Sequence, residues 1–278
     1  MRPIPVVGVL LFSLLSSCSN QPAPPAKGTP AFYWQAAQES YAAGDFMKTN
    51  DHLEQLLKSQ NEFTERARPW RLVMLSGMLR GYLDFAEKFE YGGRENKTNP
   101  MPFRKSLNDA RSVSGNLTMQ LLESWQKFKA AKPSEVALDF PFPSGSAAPV
   151  AALVQASKGI LLPPVEIEKA RKAAVQRGVV LAVTDAVGAG DDAAKGRAAF
   201  QTPPAKVALP VFAMSMAKTL FDGAQLYDAR KLDRPDMLKA LSNEALELIK
   251  EAPDGKEKKE LTTKIQDVLK KANARKTS

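Results

Sequence analysis

Apolar residues recur at steps of three and four positions through most of the chain, and this spacing restricts its fold more than any other feature. A period near 3.6 places such residues on one face of an α-helix. Alternation with period two, bounded by turn dipeptides, is nearly absent, so strands have little support. The sequence therefore predicts an all-α protein. In the clearest run, Arg68-Pro69 leads into the helix, and Gly92-Gly93 with the polar stretch to Asn99 ends it. The apolar residues of this run are Trp70, Leu72, Met74, Leu75, Met78, Leu79, Tyr82, Phe85 and Phe89.

A helical hairpin is predicted close to the start of this pattern. Thr29 and Pro30 form a capping residue followed by proline at the first helical position, where a missing N–H costs nothing. Gly44 provides a C-terminal stop, and Asp45 can cap a second helix. Two helices joined by so short a turn pack antiparallel. The apolar faces contain Trp34, Ala37 and Tyr41 in the first helix and Phe46, Leu53, Leu56 and Leu57 in the second.

This hairpin resembles a tetratricopeptide repeat. That repeat has a large apolar residue, a second one three positions later, a small residue next to it and an aromatic residue at the seventh position. Gln38 and Asn50 depart from the pattern, and a looser match runs from Phe221 to Pro253. The resemblance implies stacked antiparallel hairpins that form a superhelix with a concave groove. At least three repeats are needed for a core, so further repeats would have to be degenerate. The matching residues are Trp34, Ala37 and Tyr41, followed by Ala42-Ala43-Gly44-Asp45-Phe46.

Proline content divides the chain after residue 29 into three parts. Phe140 and Phe142 make the middle part too apolar for a linker, so we expect a long loop that lies on the core. Val165–Val187 and Pro204–Tyr227 form a further pair of helical segments. The parts are N-terminal helical hairpins at 30–131, a proline-rich loop at 132–163, and C-terminal hairpins with a basic end helix at 164–278.

The first residues carry an export signal. Arg2 precedes an apolar run from Val6 to Leu15, and small residues follow it. An uncleaved membrane anchor is the alternative, but a spanning helix needs about 20 apolar residues and this run is shorter. Leu15-Ser16-Ser17-Cys18 resembles the bacterial lipobox, which implies cleavage of residues 1–17 and acylation, including palmitate, at Cys18. Cys18 is the only cysteine of the chain, so no disulfide can form within one copy.

The residue after the cysteine bears on the location of the protein. By resemblance to the sorting rule of Gram-negative envelopes, Ser19 favours the outer membrane, and we expect the periplasmic face. Residues 18–29 are polar and proline-rich, and a semi-rigid tether of this length spans roughly 30 Å. Two or three acyl chains would anchor the protein stably, because each buried methylene contributes about 0.8 kcal/mol.

The charge of the chain is basic, with 39 lysine and arginine residues against 30 aspartate and glutamate residues. Outside the cytoplasm such a surface meets lipid phosphate or an anionic wall polymer, and we expect no nucleic-acid partner. Interleaved acids and bases also favour the simpler interpretation of solvated helix faces. Residues 256–278 predict a basic amphipathic helix, which either docks on the fold or contacts a membrane surface.

One short motif raises the question of catalysis. Asp185 to Asp191 resemble the signature of ribokinase-family sugar kinases, in which Gly-Ala-Gly-Asp forms an anion hole and Asp191 would be the base. In that interpretation Val179–Val183 would be the preceding strand. Asp192 and Ala193 depart from the kinase pattern, and strands are missing upstream. We therefore interpret Gly188–Asp191 as a loop between helices, with no catalytic residue.

Other candidate sites are few. His52 is the only histidine, and it has no cysteine partner once Cys18 is lipidated, so we expect no metal and no cofactor. Aromatic residues at helical spacing are usually core residues, although a curved stack of hairpins exposes a groove that some of them would line. The groove candidates are Trp34, Tyr41, Trp70 and Tyr82.

These observations predict a lipoprotein rather than an enzyme. We expect a helical-repeat adaptor or scaffold that the membrane holds through lipid on Cys18 and that binds a protein partner. The alternative is a ligand-binding accessory protein, similar to the helical lipoproteins of certain tripartite solute transporters, which would take a small ligand. A closed apolar pocket would favour the accessory protein, and an open groove would favour the adaptor. A ribokinase-like enzyme is the third alternative.

Overall fold

A computed structural model describes residues 25–131 and 133–274. Of these residues 71% are helical, so the predicted all-α fold is confirmed. No helix among them is long and apolar enough to cross a membrane. The α-helices are α1 (Pro30–Ala42), α2 (Phe46–Leu56), α3 (Thr64–Glu95), α4 (Met101–Ala130), α5 (Ala151–Ser157), α6 (Pro164–Ala186), α7 (Ala193–Ala198), α8 (Leu209–Ala224), α9 (Pro235–Lys250) and α10 (Lys256–Ala274); the strands are β1 (Glu135–Leu138) and β2 (Ala205–Ala208).

The hairpin α1–α2 forms as its local sequence predicts. The Thr29 hydroxyl accepts a hydrogen bond from the amide of Phe32 at 3.3 Å, and an Asp45 carboxylate oxygen accepts one from the amide of Lys48 at 3.3 Å. Gly44 in the turn has a φ of +71°, a backbone conformation that residues other than glycine rarely adopt. Both caps and the turn residue are therefore where the pattern placed them.

The long helix α3 is the centre of the fold. It packs against α2, α4, α5, α6 and α8. Glycines let α3 and α6 approach closely: a Cβ built on Gly178 would overlap the carbonyl oxygen of Gly77 and lie 2.7 Å from the amide nitrogen of Gly81. In a regular solenoid each repeat contacts only its neighbours. The contacts of α3 with α6 and α8 join the two halves of the chain, and the predicted stacking into a superhelix is not confirmed.

Helix α3 begins earlier than its sequence suggests and ends within the predicted stretch from Gly92 to Asn99. The helix begins at Thr64, before Pro69, and continues through Gly92 and Gly93 to Glu95. Gly92 serves packing rather than termination, because a Cβ there would overlap the carbonyl oxygen of Ala156 at the end of α5. A tertiary contact therefore explains a glycine that reads locally as a helix stop.

The proline-rich part contains more structure than the long loop expected for residues 132–163. Phe140 is buried, as expected of a segment lying on the core. However, β1 pairs antiparallel with β2, with Val136 opposite Val207, and α5 follows later in the segment. Pro204–Tyr227 accordingly begins with a strand and not with a helix. Strands of four residues give too short an alternation to detect in the sequence.

The C-terminal helix docks on the fold. Leu261 and Ile265 of α10 are buried, and the helix packs against α9 and α8. On its outer face, Lys264 and Lys271 are exposed.

Candidate functional site

A cleft opens where the turn of the first hairpin faces α6, and we call it the hairpin cleft. Its volume is about 390 Å³. Phe46, Tyr82 and Val175 supply apolar surface from α2, α3 and α6. The lining consists of Ala43, Gly44, Asp45, Phe46, Met47, Tyr82, Glu168, Arg171, Lys172, Val175 and Gln176.

The turn between α1 and α2 sets the width of this cleft. The positive φ of Gly44 turns the chain, and the Gln176 side chain of α6 donates a hydrogen bond to the Gly44 carbonyl at 3.5 Å. Met47 follows on the first turn of α2 with 44% of its surface exposed. The cleft therefore has one wall from a tight turn and the other from a long helix.

Charged residues line the hairpin cleft on both sides: Asp45 of the turn pairs with Lys48 at 3.2 Å, and the other charges lie on α6. Arg171 pairs with Glu168 at 2.8 Å and lies 5.7 Å from the ring centre of Phe85. Lys172 is exposed and makes no ion pair within the described part of the chain. Burial raises the pKa of Tyr82, although the charge of Arg171 opposes the rise, so its hydroxyl is a hydrogen-bond donor at neutral pH. Apolar surface beside a free ammonium and a phenol suits a segment that carries both apolar and acidic groups.

The other three groove candidates are core residues. Trp34, Tyr41 and Trp70 are 5%, 2% and 0% exposed, so they do not line an open groove. Their rings surround Phe140 of the proline-rich segment, with centroid distances of 5.0, 5.0 and 4.6 Å. The Tyr41 hydroxyl donates a hydrogen bond to the Pro141 carbonyl at 2.9 Å, and burial raises its pKa well above the ordinary value. Tyr82 is also largely buried, with 8% of its surface exposed, but of the four it is the one that lines the hairpin cleft.

A buried ionic network, which the sequence did not suggest, joins four helices. Asp185 of α6 is 6% exposed, and its carboxylate pairs with Arg80 of α3 and with Lys218 of α8, the latter at 3.0 Å. Ser215 donates a further hydrogen bond to it at 3.0 Å. Lys218 also reaches Glu257 of α10 at 2.9 Å. The one hint in the sequence is that Asp185 is an acidic residue inside an otherwise apolar stretch of α6.

The kinase-like motif lacks the setting that its resemblance requires. Val179–Val183, the expected strand in that interpretation, belongs to helix α6. Gly188 and Gly190 have φ values of +78° and +60° in the loop that joins α6 to α7, and Asp191 is exposed. The predicted inter-helix loop is confirmed. An open cavity of about 380 Å³ lies beside it, and Asp185 in its wall already has protein donors on both carboxylate oxygens.

Two further residues, Cys18 and His52, were singled out in the sequence. Cys18 lies outside the described residues. His52 is partly exposed on α2, with its ring 6.4 Å from that of Tyr33. Among the described residues no group of three or more histidine, cysteine or acidic side chains is placed to hold a metal ion.

No family model, no curated protein and no solved structure matches this chain. What the protein does is therefore inferred from its sequence signals and its surfaces.

Proposed function

We propose that the chain is a lipid-anchored protein on the periplasmic face of a bacterial outer membrane, and that its helical body is a protein-binding adaptor. The anchor part rests on Leu15-Ser16-Ser17-Cys18, on the apolar run before it and on Ser19 after it. The tether at 18–29 would then connect the lipid to α1 across roughly 30 Å. The membrane fixes the position of the protein, and the body supplies the surface for a partner.

The hairpin cleft is the observation that carries the adaptor part. It is open between two elements, which suits an extended or helical segment of another protein. Met47 and Tyr82 offer apolar contact, while Lys172 offers a charge that has no ion pair among the described residues. Such a mixture is typical of interfaces that bind transiently.

The anchor part is tested by Cys18→Ser in cells. We expect this variant to leave the membrane fraction and to lose labelling by a fatty-acid analogue, because the thiol is the acylated group. Wild-type-like membrane association without label would contradict the anchor.

The adaptor part is tested by photo-crosslinking in intact membranes. A benzoylphenylalanine at Met47 should give a discrete adduct with another protein, and Lys172→Glu should reduce its yield. The same probe at Leu232, which is 38% exposed but outside the cleft, is the matched control. Equal adducts from both positions would contradict a role for the cleft.

The volume of the cleft favours one second candidate. A space of about 390 Å³ lies within the range of small-molecule sites, so a ligand-binding accessory protein of a solute transporter is the alternative. The free Lys172 and the Tyr82 hydroxyl would then select a small carboxylate. Calorimetry with a series of carboxylates separates the two functions. Saturable heat of binding that Lys172→Glu removes would favour the ligand-binding accessory protein, whereas heat that Lys172→Glu leaves unchanged would not favour it.

A further inference from the structure

Large aliphatic side chains are exposed together at one corner of the molecule. Val154 belongs to α5, Ile160 and Leu161 to the connection after it, and Val165 to the first turn of α6. Met101 begins α4. Their exposed fractions are 39%, 49%, 42%, 65% and 64% respectively.

Contacts at the end of α3 bring these elements together. The Asn96 side chain donates a hydrogen bond to the Gly159 carbonyl at 2.9 Å, which fixes the segment after α5 against the end of α3. Gly92 lies so close to Ala156 and to the ring of Phe103 that a Cβ would overlap both. The end of α3, the start of α4 and the end of α5 therefore form one surface.

Four basic side chains surround this surface. Lys97, Arg104, Lys105 and Lys158 are exposed, and none of them forms an ion pair within the described residues. Arg104 and Lys105 follow Met101 by three and four positions, so they lie on the same face of α4. We call this surface, apolar residues and bases together, the basic apolar corner. Glu95 is exposed nearby and offsets one of the four charges.

We propose that the basic apolar corner docks on an anionic phospholipid bilayer. Aliphatic side chains can enter the boundary between headgroups and acyl chains, while lysine and arginine meet the lipid phosphates. Each such base near an anionic surface strengthens binding about fivefold. A second copy of the chain fits less well, because a symmetric contact would bring the same four bases of both copies together.

Docking at the basic apolar corner, together with the tether, would restrict the orientation of α3 relative to the membrane. Trp34 near the start of α1 stacks on Phe63 at 5.5 Å, beside the beginning of α3. Gly92 at the corner lies roughly 40 Å away along α3, at 1.5 Å per residue. Attachment at both ends would prevent α3 from standing perpendicular to the membrane, because the tether of roughly 30 Å is shorter than this distance. This consequence rests on the proposed lipid anchor, whereas the docking itself does not.

Vesicle sedimentation of residues 19–278 tests the docking without any acyl chain. Every described core residue lies between Trp34 and Ala272, so this segment retains the whole core, and circular dichroism verifies its helices. We expect binding to vesicles of phosphatidylglycerol with phosphatidylethanolamine and at least tenfold weaker binding to phosphatidylcholine alone. Equal binding to both, or binding to neither, would overturn the proposal.

Matched variants locate the binding surface. Lys97→Ala with Lys158→Ala should weaken binding by more than tenfold, and Ile160→Ser with Leu161→Ser should also reduce it. Lys264→Ala with Lys271→Ala, on the basic face of α10, should leave it unchanged. Loss in the α10 pair with retention in the corner pairs would overturn the proposal in favour of the C-terminal helix.

Two further measurements distinguish bilayer docking from dimerisation and from lipid anchoring. A dimer of wild-type residues 19–278 that the Ile160→Ser and Leu161→Ser changes dissociate would assign the corner to a second copy and overturn the proposal. Release of Cys18→Ser from cell membranes tests the lipid anchor alone. Failure of residues 19–278 to bind vesicles would therefore contradict the docking but not the lipid anchor. Failure of Cys18→Ser to leave the membrane would contradict the lipid anchor but not the docking.

Discussion

The guanidinium of Arg80 on α3 and the carboxylate of Asp185 on α6 form an ion pair in the interior of the protein, where the side chains are 14% and 6% exposed. The two residues are 105 positions apart. Lys218 and Ser215 of α8 complete the surroundings of the carboxylate. One acidic group therefore connects three helices from both halves of the chain.

Replacing that acidic group should cost much of the stability of the fold. In Asp185→Asn, Arg80 loses its counter-charge inside the protein and Lys218 keeps only its pair with Glu257. Breaking a buried pair of this kind costs about 3 to 5 kcal/mol. Urea unfolding followed by circular dichroism measures the free energy of unfolding. Asp191→Asn, six positions later and exposed, is the control and should change this free energy by less than about 0.5 kcal/mol. Similar effects in both variants would mean that the buried network contributes little.

The same network should make stability depend on pH in the acid range. Burial alone would raise the pKa of Asp185, but the charges and hydrogen bonds of Arg80 and Lys218 outweigh it and hold this pKa below the ordinary 3.8. A lowered folded-state pKa gives stability that is complete above the unfolded value and is lost as the pH falls through the folded value. The free-energy difference between wild type and Asp185→Asn should thus be constant from pH 7 to pH 5 and shrink below about pH 4. A difference that grew on acidification would contradict this assignment.

The close contact of α3 with α6 predicts a second sensitive position. Gly178→Ala should lower the free energy of unfolding by about 1 to 3 kcal/mol, because the added methyl overlaps the backbone of Gly77. This loss exceeds the gain of about 1 kcal/mol in helix propensity. Gly93→Ala, also within a helix, meets only the Cβ of Phe103 at 3.2 Å and should stay within about 1 kcal/mol of wild type. A stabilised Gly178→Ala protein would mean that the helices separate readily.

Local signals predicted the elements that depend on local chemistry. Thr29, Gly44 and Asp45 act through their own backbone or through residues three positions away, so the sequence suffices to place α1 and α2. The packing of α3 could not be predicted in the same way. Gly92 belongs to the stretch that predicts the end of the helix, but α3 continues to Glu95, and at Gly92 it contacts Ala156, far along the chain.

The same distinction between local signals and long-range contacts applies to the candidate sites. Helical spacing identified Tyr82, but it could not separate this residue from Trp34 and Trp70, because the ring of Phe140 that covers those two comes from the proline-rich segment. Nothing in the sequence pairs Arg80 with Asp185, since their contact exists only once α3 and α6 pack. The spacing of apolar residues along a helix identifies its apolar face, but the element that packs against this face is known only from the whole fold.

The loop that resembles a kinase signature gives the last prediction. We expect no saturable heat when ATP and magnesium are titrated into the wild-type protein, because helix α6 occupies the position of the strand that would precede a kinase anion hole. Asp191→Asn should be neutral, as its side chain is exposed. Gly190→Val should lower stability even without a ligand, because a φ of +60° strains a β-branched residue. Saturable ATP binding to the wild type that is abolished in Asp191→Asn, a variant without backbone strain, would instead establish a nucleotide site at this loop and contradict the adaptor.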